Sequence, residues 1–142
     1  MVMVHKIIVG ESFGYDELGC EVLQMVMKDE HNMDVTVERT RKRAELLEKV
    51  KIGDYSVVLV GCCMDGEYGS QSGLDVVKEL RKLNKKLPIY FVAEGCFRSV
   101  QPFYGDLKSM ALEAGANKYF TRLTDWDTTI PAAIATHLVN PK

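Results

Sequence analysis

The chain has 142 residues, of which 18 are Lys or Arg and 20 are Asp or Glu, a formal charge of −2. Apolar residues make up 46% and charged residues 27%, the balance of one ordinary globular domain, which excludes a disordered or collagen-like chain. The near-neutral charge leaves no footprint for a broad nucleic-acid surface, and the longest apolar stretch, Tyr55 to Met64, is too short for a bilayer, which needs roughly 20 residues.

Residues 1–10 carry no basic segment and no small-residue cleavage site, so they are expected to open the fold, in the cytoplasm, and not to act as a signal peptide. Lys6 to Val9 is a β-rich run closed by Gly10, and its continuous apolar character predicts a strand buried on both faces. From Tyr15 to Glu30, Leu18, Val22, Leu23 and Val26 recur at helical spacing, with Asp16 and Glu17 suited to a helix N-terminus. Met33 to Glu38 alternates Val35 and Val37 with polar neighbours, which predicts a shorter, less buried strand. Arg41 to Lys51 places Leu46, Leu47 and Val50 on one helical face, and Gly53 ends it.

Ser56 to Val60 is the most apolar and β-branched run and predicts a central strand. A glycine-spaced loop from Met64 to Gly73 follows, after which Leu74, Val77, Leu80 and Leu83 mark a helix running to about Lys86. Pro88 opens a strand from Ile89 to Ala93, and Glu94 to Pro102 reads as a loop. Leu107, Met110, Ala111 and Ala114 form a helix stopped by Gly115, and Lys118 to Thr121 is a last short strand. Pro131 sits in the first turn of a final helix whose face is Ile130, Ile134 and Leu138.

Strict β–α alternation over residues 1–142, with no repeat or linker, predicts one domain of three layers, α/β/α, around a five-stranded parallel sheet. The length suits the flavodoxin-like order 2-1-3-4-5, whose crevice lies at the carboxyl ends of the strands. The residues to interrogate are therefore Gly10 to Ser12, Gly61 to Asp65 and Ala93 to Cys96.

Four segments, Asp54 to Val60, Ser72 to Arg81, Leu87 to Ile89 and Ala111 to Arg122, resemble the CheY-like receiver domain of two-component response regulators, and the likeness spans essentially the whole chain. The resemblance implies a Mg²⁺ held by two acids after strand one and an aspartate ending strand three, which accepts a phosphoryl group; a Ser or Thr ending strand four and a Lys ending strand five bind its oxygens. Carried over, the acids fall on Gly10 and Glu11, the acceptor on Gly61, the hydroxyl on Ala93 and the lysine on Arg122, followed by Leu123 where the family usually has proline. Only Glu11 and Arg122 keep suitable chemistry, so the resemblance implies a degenerate pseudo-receiver with no phosphoryl acceptor, metal or cofactor. The family's switch aromatic falls on Tyr119 and is retained.

Asp65, four residues beyond Gly61, is the nearest alternative acid. Without the acid cluster, Arg122 can pair with Glu11 across the crevice or remain solvated. Cys62, Cys63 and Cys96 fall near the ends of strands three and four, where they serve either as a thiol switch or as small apolar filling. The loop with Gly66, Gly69 and Gly73 lacks the ending of a phosphate-binding loop. Arg39, Arg41, Lys42 and Arg43 read as a solvated helix face, interrupted by Glu45 and Glu48. Phe97, Phe103 and Tyr104, with Arg98, lie in an extended segment that suits either a protein interface or a lid over the crevice.

These readings favour a phosphorylation-independent interaction module, not an enzyme, with no membrane or nucleic-acid partner. Its expected partner is a signalling protein, such as one related to a sensor kinase, or a second copy of the chain. The surface is that of helix four, strand five and helix five, including Tyr119, Phe97, Phe103 and Tyr104. A redox-responsive regulator using Cys62, Cys63 or Cys96, and a small-ligand sensor using the emptied crevice, are the alternatives.

Overall fold

Alternation of side chains across a pleated strand explains how one sheet serves two cores. The computed structural model describes residues 4–10, 17–61, 64, 72–93, 107–120 and 123–139. The strands are β1 (His5–Gly10), β2 (Val35–Thr40), β3 (Val57–Gly61), β4 (Ile89–Val92) and β5 (Lys118–Phe120). The helices are α1 (Glu17–His31), α2 (Arg43–Ile52), α3 (Ser72–Leu83), α4 (Leu107–Ala114) and α5 (Thr129–Val139). All strand pairs are parallel, in the order β2-β1-β3-β4-β5.

Ile8, Val58, Val60, Ile89 and Phe91 face a core completed by Leu46 of α2, Val77 and Leu80 of α3 and Ala111 of α4. Their strand neighbours Ile7, Val9, Val57, Leu59 and Tyr90 face Leu23 and Met27 of α1 and Ile134 of α5. β3 and β4 are buried along their whole length, whereas β2 and β5, at the edges, are largely half-exposed. Continuous apolar runs thus occupy the centre and mixed ones the rims.

Several boundaries differ from the sequence expectation. β2 is as long as β1, each having 6 residues, and starts two positions later than expected. On α1 the buried stripe is Cys20, Leu23 and Met27, while Val22 is exposed. On α2 only Leu46 is fully covered, with Leu47 and Val50 packed at the core's margin. α3 ends at Leu83, which is itself exposed, and does not reach Lys86. The cause is Arg81, whose Nη1 donates to the carbonyls of Asn84, Lys85 and Leu87 at 3.1, 3.0 and 2.7 Å and gathers the chain into a turn. Two further features were not expected. Asn32 takes a left-handed conformation (φ 53°) to end α1, and a 3₁₀ turn, Leu123–Asp127, leads into α5.

No helix among the described residues is long and apolar enough to cross a membrane.

Candidate functional site at the carboxyl ends of the strands

The register brings the carboxyl ends of the central strands together. Gly10 lies opposite Val60 and Thr40, and Gly61 lies opposite Val92. The Ala93 N–H donates to the Phe120 carbonyl at 2.8 Å, extending the ladder one residue past β4. Gly61 and Ala93 are both buried. The strand ends of β1, β3 and β4 therefore meet with no side-chain oxygen among Gly10, Gly61 and Ala93.

The space beside Gly10 is already filled. A Cβ there would lie 2.5 Å from Leu46 Cδ2 and 3.0 and 3.2 Å from Met64 Cε and Sδ. Leu46 and Met64 are both fully buried, so neither can swing into solvent to admit a larger group. Ser72, the first residue of α3, holds Met64: its Oγ accepts from the Met64 N–H at 2.7 Å. Ser72 is 5% exposed, and sequence reasoning passed over it. A serine at a helix start ahead of an apolar run was the available signal.

These residues do not fit a Mg²⁺ ion, which takes oxygen ligands and retains water. What meets Gly10 is a methyl group and a thioether. Among the described residues no group of three or more His, Cys, Asp or Glu could hold a metal. Glu11, Arg122, Asp65, Cys62, Cys63, Cys96, Phe97, Phe103 and Tyr104 lie outside the described residues. Cys20 is described, and is buried between α1 and the sheet.

Tyr119 is described and half-buried on β5. It pairs in register with Phe91, and the two rings stack at 5.9 Å between centroids with planes 6° apart. The basic cluster is partly consumed inside the fold. Arg43 makes a forked pair with Glu79 of α3 at 3.2 and 3.1 Å, while Arg41 and Lys42 stay exposed.

A polar cluster that the sequence did not reveal joins β2, α2 and the segment before β3. The Tyr55 hydroxyl donates to Glu38 Oε2 at 2.5 Å, Lys49 Nζ donates to Glu38 Oε1 at 3.3 Å, and Lys6 Nζ sits 4.8 Å from the Tyr55 ring centroid. The Tyr55 hydrogen bond and Lys49 hold the Glu38 carboxyl below its ordinary range, and partial burial together with Glu38 pushes the Tyr55 phenol up to about 12. The cluster's members are tied to one another across three elements, so it reads as a brace.

No protein-family model and no curated protein matches the sequence. Solved structures do match. A protein described as a response regulator from Chloroflexus aurantiacus J-10-fl is 20% identical, with 97% of each chain covered and a TM-score of 0.64. The receiver domain of a Francisella response regulator is 19% identical, covering 94% of this chain and 98% of its own, at a TM-score of 0.64. A two-component response regulator from Clostridium difficile is 14% identical, covering 97% of this chain and 98% of its own, at a TM-score of 0.68. With the strand order β2-β1-β3-β4-β5 and helices on both faces, the chain has the flavodoxin-like fold of a response-regulator receiver domain.

Proposed function

We propose that the chain is a receiver-like protein-interaction module that works without phosphorylation and is not an enzyme. The observation that carries this reading is the pair Gly61 and Ala93 at the buried ends of β3 and β4. An acyl phosphate needs a carboxylate at the first position, and glycine has none. A hydroxyl at the second would follow the phosphoryl oxygens, and alanine has none. At Gly10 the oxygen ligand that the first strand-one acid would give Mg²⁺ is missing as well, and Leu46 and Met64 fill the space a Cβ would take.

What the fold retains is a surface. α4, β5 and α5 present the face through which a cytoplasmic signalling partner, or a second copy, would dock, with Tyr119 as its aromatic. Phe97, Phe103 and Tyr104, which precede α4 in the sequence, are assigned to the same interface. Glu11 and Arg122 are assigned to the crevice as a charge pair that replaces the acid cluster.

The test is exposure to acetyl phosphate, and separately to beryllofluoride, with Mg²⁺, followed by intact mass and amide NMR. The expected result is no phosphoryl adduct and no shift at Gly61, Ala93 or Tyr119. A stoichiometric gain of one phosphoryl group would overturn the reading, and peptide mapping would then show whether Asp65 had received it.

A further inference from the structure

At the amino ends of β4 and β5, away from Gly10 and Gly61, an open groove of about 870 Å³ runs between α5 and the edge of the sheet. Tyr90 and Lys118 line it from the sheet, Ala133 and His137 from α5, and Lys85 and Lys86 from the turn after α3. Among the described residues, no Asp or Glu lines it. The three lysines are exposed, and the ion pairs among the described residues, Lys28–Asp34, Arg43–Glu79 and Lys49–Glu38, involve none of them.

Among its described residues the groove therefore gathers three ammonium groups and no carboxylate, in a chain whose formal charge is −2. Within one Debye length, about 8–10 Å at ordinary salt, such charges reinforce one another. The carbonyl end of α5 offsets only about half a unit of charge. Arg81 fixes the shape of the rim: its Nη2 donates to Asn117 Oδ1 at 2.9 Å and to the Gly115 carbonyl at 2.6 Å. The Tyr90 hydroxyl donates to the Ala133 carbonyl at 3.3 Å and ties the floor to α5. The cationic rim thus stands on a braced, partly apolar floor.

We infer that this groove docks an acidic peptide segment of a protein partner, its carboxylates meeting Lys85, Lys86 and Lys118 and its aliphatic side chains lying against Pro88, Ala132 and Ala133. A nucleic-acid strand fits less well. Backbone binding draws its strength from the number of phosphates neutralised, three lysines meet few, and the acidic remainder of the chain opposes it. The assignment rests on the interaction-module reading and names its partner's chemistry. Its test uses no phosphoryl donor, so the two can fail separately.

The probes are a short fluorescein-labelled peptide alternating Glu and Leu, its Gln–Leu counterpart, and a labelled single-stranded oligonucleotide of equal charge. Binding to the full chain is followed by anisotropy, and the site by amide NMR. The Glu peptide is expected to bind, with shifts at Asn117, Lys118, Ala133 and Thr136. Binding should weaken about tenfold or more in the K86E/K118E variant and fall with added salt. K51E, on the opposite side of the sheet, should bind as the parent does, and matching thermal melts will show that all variants fold. Absence of binding, equal binding of the Gln peptide, equal loss in K51E, or tighter binding of the oligonucleotide would each overturn the inference.

Discussion

Met64 and Ser72 hold each other by two hydrogen bonds: the Met64 N–H donates to Ser72 Oγ at 2.7 Å, and the same hydroxyl donates back to the Met64 carbonyl at 3.3 Å. Both residues are buried, so neither backbone group has water as a substitute. The bonds link the chain just past β3 to the first turn of α3 and place the Met64 thioether beside Gly10. An apolar strand-end junction follows directly from one serine.

Ser72→Ala should therefore cost more than a surface hydroxyl would. It leaves a buried N–H unpaired, a penalty of about 1–3 kcal/mol. Chemical denaturation checks the magnitude, and an amide shift confined to Met64 and the start of α3 checks the place. An unchanged midpoint would show that the pair contributes nothing.

Gly10→Ala tests how full the junction is. Its new Cβ would meet Leu46 Cδ2 at 2.5 Å, and the expected cost is about 1–3 kcal/mol, the range for overpacking a closed core. Leu46→Ala alone should cost about 2–5 kcal/mol. The double variant should recover part of the sum, with a coupling of about 1 kcal/mol, because each change makes room for the other. Strict additivity would mean that Leu46 simply rotates away. On the same reasoning, Gly61→Asp alone should gain no phosphoryl adduct, since it adds an acceptor but no metal ligand at Gly10.

The strands were legible because burial on both faces leaves a continuous apolar signature in β3 and β4. Gly61 and Ala93 were legible as strand ends only to within a residue: the run Ser56 to Val60 stops one short of the end of β3, and Ala93 lies one past β4. Helix faces were less legible: Val22 and Leu83 fit a 3.6-residue period by type, yet each falls outside the buried stripe. Periodicity gives a direction, and the neighbouring helix decides how wide the stripe is. The brace of Glu38, Tyr55, Lys49 and Lys6 was not legible at all. Its members come from four separate parts of the chain, and only the register of β1 against β2 and β3 brings them together.

Arg81 and Gly115 form another long-range pair. Arg81 Nε and Nη2 both donate to the Gly115 carbonyl, at 3.0 and 2.6 Å. Gly115 has φ of +123°, and a Cβ there would lie 2.9 Å from Arg81 Cγ. Gly115→Ala should lose about 1–3 kcal/mol through its backbone conformation alone. Arg81→Lys should also destabilise, by about 1–3 kcal/mol, since a single ammonium cannot reach carbonyls on both sides as the guanidinium fork does. Denaturant midpoints give both values, and hydrogen exchange at Ala116 and Asn117 should quicken in each variant. Retention of parental exchange in Arg81→Lys would remove Arg81 as the organiser of this corner.

The Tyr55–Glu38 brace predicts a pH dependence with opposite limbs. Tyr55 holds its proton up to about 12, against an ordinary value of 10, so its contribution is complete below pH 10 and is lost as the pH rises from there through 12. Tyr90, pushed up to about 12 by burial, acts in the same direction. Glu38 is held below its ordinary 4.5, so its contribution is complete above that value and is lost as the pH falls through the folded-state pKa. Phenolate absorbance should show Tyr55 and Tyr90 titrating late in the folded protein. Tyr55→Phe should remove one of them, flatten the alkaline limb of stability in part, and move the Glu38 carboxyl back toward its ordinary range; Tyr90→Phe should remove the other and leave Glu38 unchanged. If Tyr55→Phe left the acid limb and the Glu38 titration where they were, the lysines Lys49 and Lys6 would be holding that carboxylate.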